Sequence, residues 1–385
     1  MRAFLPILLS ALLSTPFSHA QWQIQESHST ASFRGIHALG MGVAWASGTQ
    51  GTVLRTVDGG KNWQACAVPP DAEKLDFRGI QAFDAQTAIV MSSGKGDLSR
   101  LYKTVDGCKT WKLVFSNPDK EGFWDAIKFI EQSGIPRDRD FGMLLGDPVA
   151  GVFAIFLTYD RGDHWERQLK EAPAAQAGES IFAASNSSLL VNSMRDRQFV
   201  TGGEKGSRHI TFSVRSEDTS FERDAKVLPG AKEFYGPGQR LWEVSQTSLK
   251  SNPTAGAFSI AARPWGPSQP GILSIVIVGG DYRHPDAIEG TAAYGSFRSM
   301  APSGTPPHGY RSSVAYDEVS KSWITVGPNG TDVSSDDGKN WRALRPTSKD
   351  GGVADADRDW NALSLPFVVG PKGRIGRLRV GALKP

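Results

Sequence analysis

The chain has 385 residues, enough for two or three ordinary domains or one large repeat domain. Its 43 basic and 40 acidic residues leave a formal charge of +3 with no dense Lys/Arg stripe, which argues against a nucleic-acid partner. With 42 glycines, 23 prolines and 11 tryptophans, the composition suits many short strands and turns and disfavours long helices.

Residues 1–20, "MRAFLPILLSALLSTPFSHA", read as a signal peptide, with Arg2 ahead of an apolar run and Ser18 and Ala20 as the small residues before cleavage. The run is short of the roughly 20 residues of a spanning helix and is interrupted by Pro6. No later segment is long and apolar enough, so no transmembrane segment is expected. Cleavage near Ala20 would leave residues 21–385 secreted or periplasmic.

The mature chain opens on "WQIQES" (22–27) and then runs through a repeating set of segments. "FRGIHAL" (33–39), "FRGIQAF" (77–83) and "WDAIKFI" (124–130) each begin a repeat. Each is followed by an apolar run ending in Gly, and then by a third run such as "TVLRT" (52–56) or "RLYKT" (100–104). Apolar alternation over four to eight residues between turn signals predicts strands A, B and C.

Strand C leads each time into one eight-residue pattern, Ser/Thr-x-Asp-x-Gly-x-x-Trp. It occurs as "TVDGGKNW" (56–63), "TVDGCKTW" (104–111), "TYDRGDHW" (158–165) and "SSDDGKNW" (334–341). The spacing predicts a tight turn between strands C and D. Asp58, Asp106, Asp160 and Asp336 accept amides a few residues on, and Gly60, Gly162 and Gly338 supply a positive φ. Trp63, Trp111, Trp165 and Trp341 then open strand D and bury a ring. These residues read as structure, with no chemistry assigned to them. Cys108 stands where the second copy should have Gly. Its only possible mate is Cys66, and an oxidising compartment permits the bridge. The two cysteines occupy different offsets of neighbouring repeats, so the spacing leaves their pairing open.

Further A strands are read at "SIFAAS" (180–185), "AFSIAA" (257–262), "YRSSVAY" (310–316) and "WNALSLP" (360–366). Trp242 leads a D strand whose turn is swollen by an insertion at about 216–240, and Phe297 leads another that has lost its Asp. That makes seven A strands and six D strands. "WQIQES" matches "WQACAV" (63–68) and supplies the missing D strand to a last repeat that ends in "FVVGPKG" and "RIGRLRV" (367–380). The prediction is an all-β chain: a single seven-bladed β-propeller of four-stranded antiparallel blades, closed by its N-terminal strand, with roughly 52 residues per blade.

"GTVLRTVDGGKNW", "LSRLYKTVDGCKTW", "GDPVAG" and "PPHGYRSSVAY" resemble the BNR/Asp-box propellers of the sialidase superfamily, and within it the photosystem II stability/assembly factor-like branch. The resemblance spans nearly all of the mature chain. It implies the propeller and leaves function to be argued from a site.

In an antiparallel meander the Asp motifs lie on one face of the ring, and the D–A connections and B–C loops lie on the other. That second face should gather Arg34, Arg78, Asp125, Glu179 and Arg311 at the starts of A strands. It should also gather Asp147, Asp281 and Asn329 from B–C loops. Arg34, Arg78 and Arg311, with Asp125 beside them, are the candidate ligand-binding set, because guanidinium groups suit a carboxylate or phosphate. The expected role is a non-catalytic binding or assembly-factor-like propeller. It would hold a protein partner or an anionic small molecule or glycan, as a monomer, with no cofactor and no metal.

The alternative is a glycoside hydrolase at the same face, either sialidase-like through Tyr310 or using a carboxylate pair drawn from Asp125, Asp147, Glu179 and Asp281. The Arg-Ile-Pro signature of sialidases is absent, since "FRGI" has Gly35 and Ile36 instead. Tyr310 also adjoins Arg311, and successive side chains of a strand point to opposite faces.

Overall fold

The computed structural model describes residues 21–131, 136–168, 172–215, 239–264, 273–296, 299–344, 353, 355–379 and 382–383. Seven antiparallel sheets follow one another in chain order. From the innermost strand outward, blade 1 is Phe33–Leu39, Val43–Gly48, Val53–Thr56 and Gln64–Ala65; blade 2 is Phe77–Ala82, Ala88–Ser92, Arg100–Thr104 and Lys112–Ser116. Blade 3 is Trp124–Phe129, Gly142–Val149, Val152–Thr158 and Glu166–Arg167; blade 4 is Leu189–Ser193, Asp196–Val200, Arg208–Arg215 and Gln239–Gln246. Blade 5 is Ala255–Pro264, Leu273–Asp281, Ala292–Ser296 and Ser299–Pro302; blade 6 is Ser313–Asp317, Ser322–Gly327, Gly330–Ser334 and Arg342–Leu344. Blade 7 takes Ala362–Ser364, Phe367–Val369 and Ile375–Leu378 from the end of the chain and Trp22–Gln25 from its start. The fold is the expected all-β seven-bladed propeller. Among the described residues, the only helical elements are two short 3-10 turns, and no helix is long and apolar enough to cross a membrane.

Each blade is covered on both faces by its neighbours, which is why strands such as Ala88–Ser92 are buried throughout. Between blades 1 and 2 the packing joins Trp45 and Val53 to Phe77, Ile80 and Val90, with Trp111 at the rim. Between blades 6 and 7 it joins Ile324 and Val326 to Trp22, Trp360 and Val368.

The four Asp turns share one hydrogen-bond pattern. The hydroxyls of Thr56, Thr104, Thr158 and Ser334 donate to the carboxylates of Asp58, Asp106, Asp160 and Asp336 at 2.8–2.9 Å. The same hydroxyls accept the amides of Gly60, Cys108, Gly162 and Gly338 at 2.9–3.1 Å. Each turn needs two successive left-handed residues, one more than the spacing foretold: Gly59 and Gly60, Gly107 and Cys108, Arg161 and Gly162, Asp337 and Gly338. Cys108 holds this conformation at φ 67° and is disulfide-bonded to Cys66, with Cα atoms 5.2 Å apart. The bridge ties the outer edge of blade 1 to the turn of blade 2.

Blade 4 departs from the expectation. Of "SIFAAS" only Ser180, together with Glu179, is in a strand. That strand pairs with Gly202–Gly203 at the inner edge of the blade 5 sheet. The innermost strand of blade 4 begins at Leu189, and residues 181–188 instead cross the centre of the ring. There Asn186 accepts the Ile127 amide at 2.8 Å and donates to the Ile80 carbonyl at 3.3 Å. Ser185 donates to the Ser312 carbonyl at 2.6 Å, and Ser187 donates to the Ser259 hydroxyl at 2.7 Å. The segment therefore touches blades 2, 3, 5 and 6. It supplies polar partners to inner strands that have no further strand to pair with. Trp242 does lie in the outermost strand of blade 4; Phe297 and most of the 216–240 insertion lie outside the described residues.

Candidate binding face at the channel mouth

The innermost strands of blades 1, 2, 3 and 5 carry the same irregularity near their start. One extra residue sits opposite the second strand, between Phe33 and Gly35, Phe77 and Gly79, Trp124 and Ala126, and Ala257 and Ser259. The extra residues are Arg34, Arg78, Asp125 and Phe258. A bulge of this kind re-aims a side chain, and here it recurs at the same height around the ring. Small residues follow it: a Cβ on Gly35 would lie 2.3 Å from Ser47 Oγ and 3.3 Å from the Gly79 backbone, and one on Gly79 would lie 2.9 Å from Asn186 Oδ1.

Arg34 and Arg78 are thus brought together as the sequence suggested, but in different states. Arg78 donates from Nε to Asp76 at 2.7 Å and from Nη1 to the Ala183 carbonyl at 3.4 Å. Arg34 is half-buried, and its Nε is buried without a partner. Burial, and then the charge of Arg78, lower its pKa below the usual arginine value; Asp76 and Tyr310 act in the opposite sense. Asp76, whose charge acts on Arg34, is hydrogen-bonded through Oδ2 to Arg78, and its Oδ1 is buried without a partner.

Asp125 is 1 % exposed, and neither of its carboxyl oxygens has a hydrogen-bond partner. Burial, followed by the nearby Asp147 carboxylate, pushes its pKa well above the ordinary range, against the pull of Arg78. Asp147 lines an open cleft of about 490 Å³ with Glu121, Gln176 and Ser180. Burial pushes its pKa up to about 6, although it accepts the Ile181 amide at 2.9 Å.

The remaining candidates are tied up by other side chains. Glu179 is buried and saturated by Arg208 at 2.7 and 2.5 Å, the Thr201 hydroxyl at 2.6 Å and the Gln176 amide at 2.8 Å. Asp281 overcomes its desolvation through donors from Asn252, His284, Thr254 and the Arg283 amide, which hold its pKa below the usual carboxylate range.

Arg311 does not join the other two arginines. The Ser312 amide bonds the Val326 carbonyl and Ser313 pairs with Val326, so Ser312, not Arg311, occupies the register of Arg34. The Arg311 guanidinium is 0 % exposed. It is spent on Asp332, the Tyr310 carbonyl at 2.7 Å and Asn329 at 2.5 Å. Its assignment to the binding set is corrected: a one-residue slip of register turns the side chain away.

Tyr310 does lie at the mouth. Its hydroxyl pKa is raised by burial, with Arg34 opposing and Tyr282 adding, and no glutamate is among the groups that act on it. That is the reverse of an activated nucleophile. Of the four carboxylates considered for hydrolysis, Asp147 and Glu179 line the cleft, and Glu179 is fully buried there in its pair with Arg208.

Three aromatic residues complete the mouth and were missed from sequence. Phe182, from the crossing segment, stacks on Phe258 with centroids 4.0 Å apart and planes 4° apart; Tyr282 lies edge-on to both at 6.3 Å. Phe258 could have been found by setting "AFSI" under "FRGI". Nothing in the local pattern marks Phe182.

A closed seven-bladed propeller with Asp-turn blades and a charged, aromatic mouth is the class this geometry defines. The family model described as Photosynthesis system II assembly factor YCF48 matches residues 15–377, and the chain belongs to that family. Among solved structures the chain is similar to YCF48 from Cyanidioschyzon merolae, with TM-score 0.58 and 17% identity, covering 94% of this chain and 99% of that one. It is similar to a structure of YCF48 bound to D1 peptide, with TM-score 0.54 and 16% identity, covering 93% and 95%. The extracellular domain of the putative one component system BT4673 from B. thetaiotaomicron also shares the fold, with TM-score 0.55 and 10% identity over 93% of this chain and 40% of that one. At these identities the likeness is one of fold. No curated protein matches the chain.

Proposed function

We propose that this protein is a non-catalytic binding propeller, secreted or periplasmic, that holds an acidic segment of a partner protein at its channel mouth in the manner of an assembly factor. The observation that carries the reading is Arg34, a half-buried guanidinium whose Nε has no partner, beside a carboxylate, Asp76, that bonds Arg78 through its Oδ2. Such a group favours a ligand that brings its own anion. The Cys66–Cys108 bridge supports an oxidising location. The glycoside hydrolase alternative lacks a second accessible carboxylate among the residues considered for it.

A D1 peptide is the first probe, because one is bound to a YCF48 of the same fold. Calorimetric titration should show Arg34→Ala weakening the binding of that peptide by about 10- to 100-fold, the range of a lost charge-assisted hydrogen bond. The thermal transition should shift little. Equal affinity of wild type and Arg34→Ala would overturn the reading.

A further inference from the structure

We propose that the mouth contains an aromatic subsite beside Arg34, built from Phe182, Phe258 and Tyr282. It would take an aromatic or large apolar side chain lying next to the carboxylate that Arg34 holds. The inference rests on the preceding reading of Arg34 and specifies the partner segment.

The bulged positions divide the ring by chemistry, with charged residues in blades 1 to 3 and Phe258 in blade 5. Tyr310 bridges the two parts. Its ring packs edge-on to Phe258 at 4.7 Å, and its hydroxyl lies within electrostatic reach of Arg34. That hydroxyl, protonated at neutral pH as in any tyrosine, can donate to the same anion.

The seat of Phe182 depends on absent side chains. A Cβ on Gly202 would meet its ring at 2.1 Å, and one on Gly256 would meet it at 3.2 Å. These glycines let the ring lie flat on Phe258 and remain half-exposed. Tyr282 is 45% exposed beside it. Phe182 and Tyr282, left partly open to water around the buried ring of Phe258 and beside a guanidinium whose Nε lacks a partner, favour a ligand that is apolar at one end and anionic at the other. On an extended segment, neighbouring residues are spaced by about 3.3–3.6 Å, so a ring and a carboxylate one or two positions apart can reach both parts.

The test uses four synthetic peptides titrated into the full mature chain by NMR. Acetyl-Gly-Phe-Glu-Gly-amide carries the ring beside an internal carboxylate. Acetyl-Gly-Gly-Phe with a free C-terminus carries it beside a chain-end carboxylate. Acetyl-Gly-Ala-Glu-Gly-amide lacks the ring, and acetyl-Gly-Phe-Gln-Gly-amide lacks the charge. The peptide with ring and carboxylate should bind at least fivefold tighter than either control, and the tighter of the first two identifies the source of the carboxylate. Tyr282→Ala, at a partly exposed position, should erase the preference for Phe over Ala without changing the melting temperature. Equal binding of the Phe-Glu and Ala-Glu peptides would overturn the aromatic subsite while leaving the carboxylate reading intact. Failure of both carboxylate peptides that carry Phe, with the Ala-Glu peptide also silent, would overturn both.

Discussion

The Trp22 indole N–H donates to the Thr331 hydroxyl at 3.0 Å, across a sequence separation of 309 residues. Trp22 belongs to the sheet of blade 7, yet this bond fastens it to blade 6, and its ring also packs against Trp360 with centroids 6.2 Å apart. One residue of the first described strand thus closes the ring in two directions. Trp22→Ala should cost about 3–5 kcal/mol in chemical denaturation, as for other large buried rings. Removal of residues 21–28 should lower the melting temperature further and promote aggregation through the freed edge of Ile375–Leu378. A truncated chain that melts like the full one would show that the closing strand is dispensable.

Cys108 combines a bridge with a backbone conformation that suits Gly. Opening the disulfide with Cys66→Ala should cost about 2–4 kcal/mol. In that background Cys108→Gly should be more stable than Cys108→Ala by about 1–2 kcal/mol, because alanine is strained at φ 67°. Urea midpoints of the two double variants provide the comparison.

Asp147 gives the fold a defined pH dependence. Its folded pKa, about 6, lies above the ordinary 3.8, so the neutral form is favoured on folding. Below pH 3.8 the group is protonated in both states and costs nothing. As the pH rises from about 4 to 6, the unfolded chain loses the proton first and stability falls; above 6 the loss is complete, at about 1–3 kcal/mol. Asp125 is shifted in the same direction. Asp147→Asn should therefore stabilise the protein at pH 7.5 and leave it unchanged at pH 3.5, as measured by urea unfolding at both pH values.

The segment that crosses the ring centre is anchored by Asn186, which serves both the Ile127 amide and the Ile80 carbonyl from a left-handed conformation. Asn186→Ala should cost about 2–4 kcal/mol, the sum of two orphaned backbone groups and strain at positive φ. Hydrogen exchange at the Ile127 amide should accelerate in the variant, and unaltered exchange would contradict the anchoring role.

Most of the architecture was legible because it is written in local chemistry. The Asp turns fix where strands C and D meet, and counting A and D strands exposed the surplus "WQIQES" that closes the ring. "SIFAAS" misled because its alternation imitates a strand, whereas the partners that draw residues 181–188 into the centre lie in blades 2, 3, 5 and 6. Arg311 misled through register. "YRSS" aligns with "FRGI", but Ser312 and not Arg311 stands at the register of Arg34, and a slip of one residue decides which side of a strand a guanidinium occupies. Arg34 and Arg78 keep the expected register because Phe33 pairs with Gly48 and Phe77 with Ser92.

The central claim is that the mouth around Arg34, and not the face bearing the Asp turns, holds the partner. Hydrogen–deuterium exchange with and without an added D1 peptide tests it most directly. Protection should appear at residues 32–35, 76–78, 180–183 and 281–283 and be absent from Arg34→Ala. Protection confined to the turns at 56–63, 104–111, 158–165 and 334–341 would contradict it.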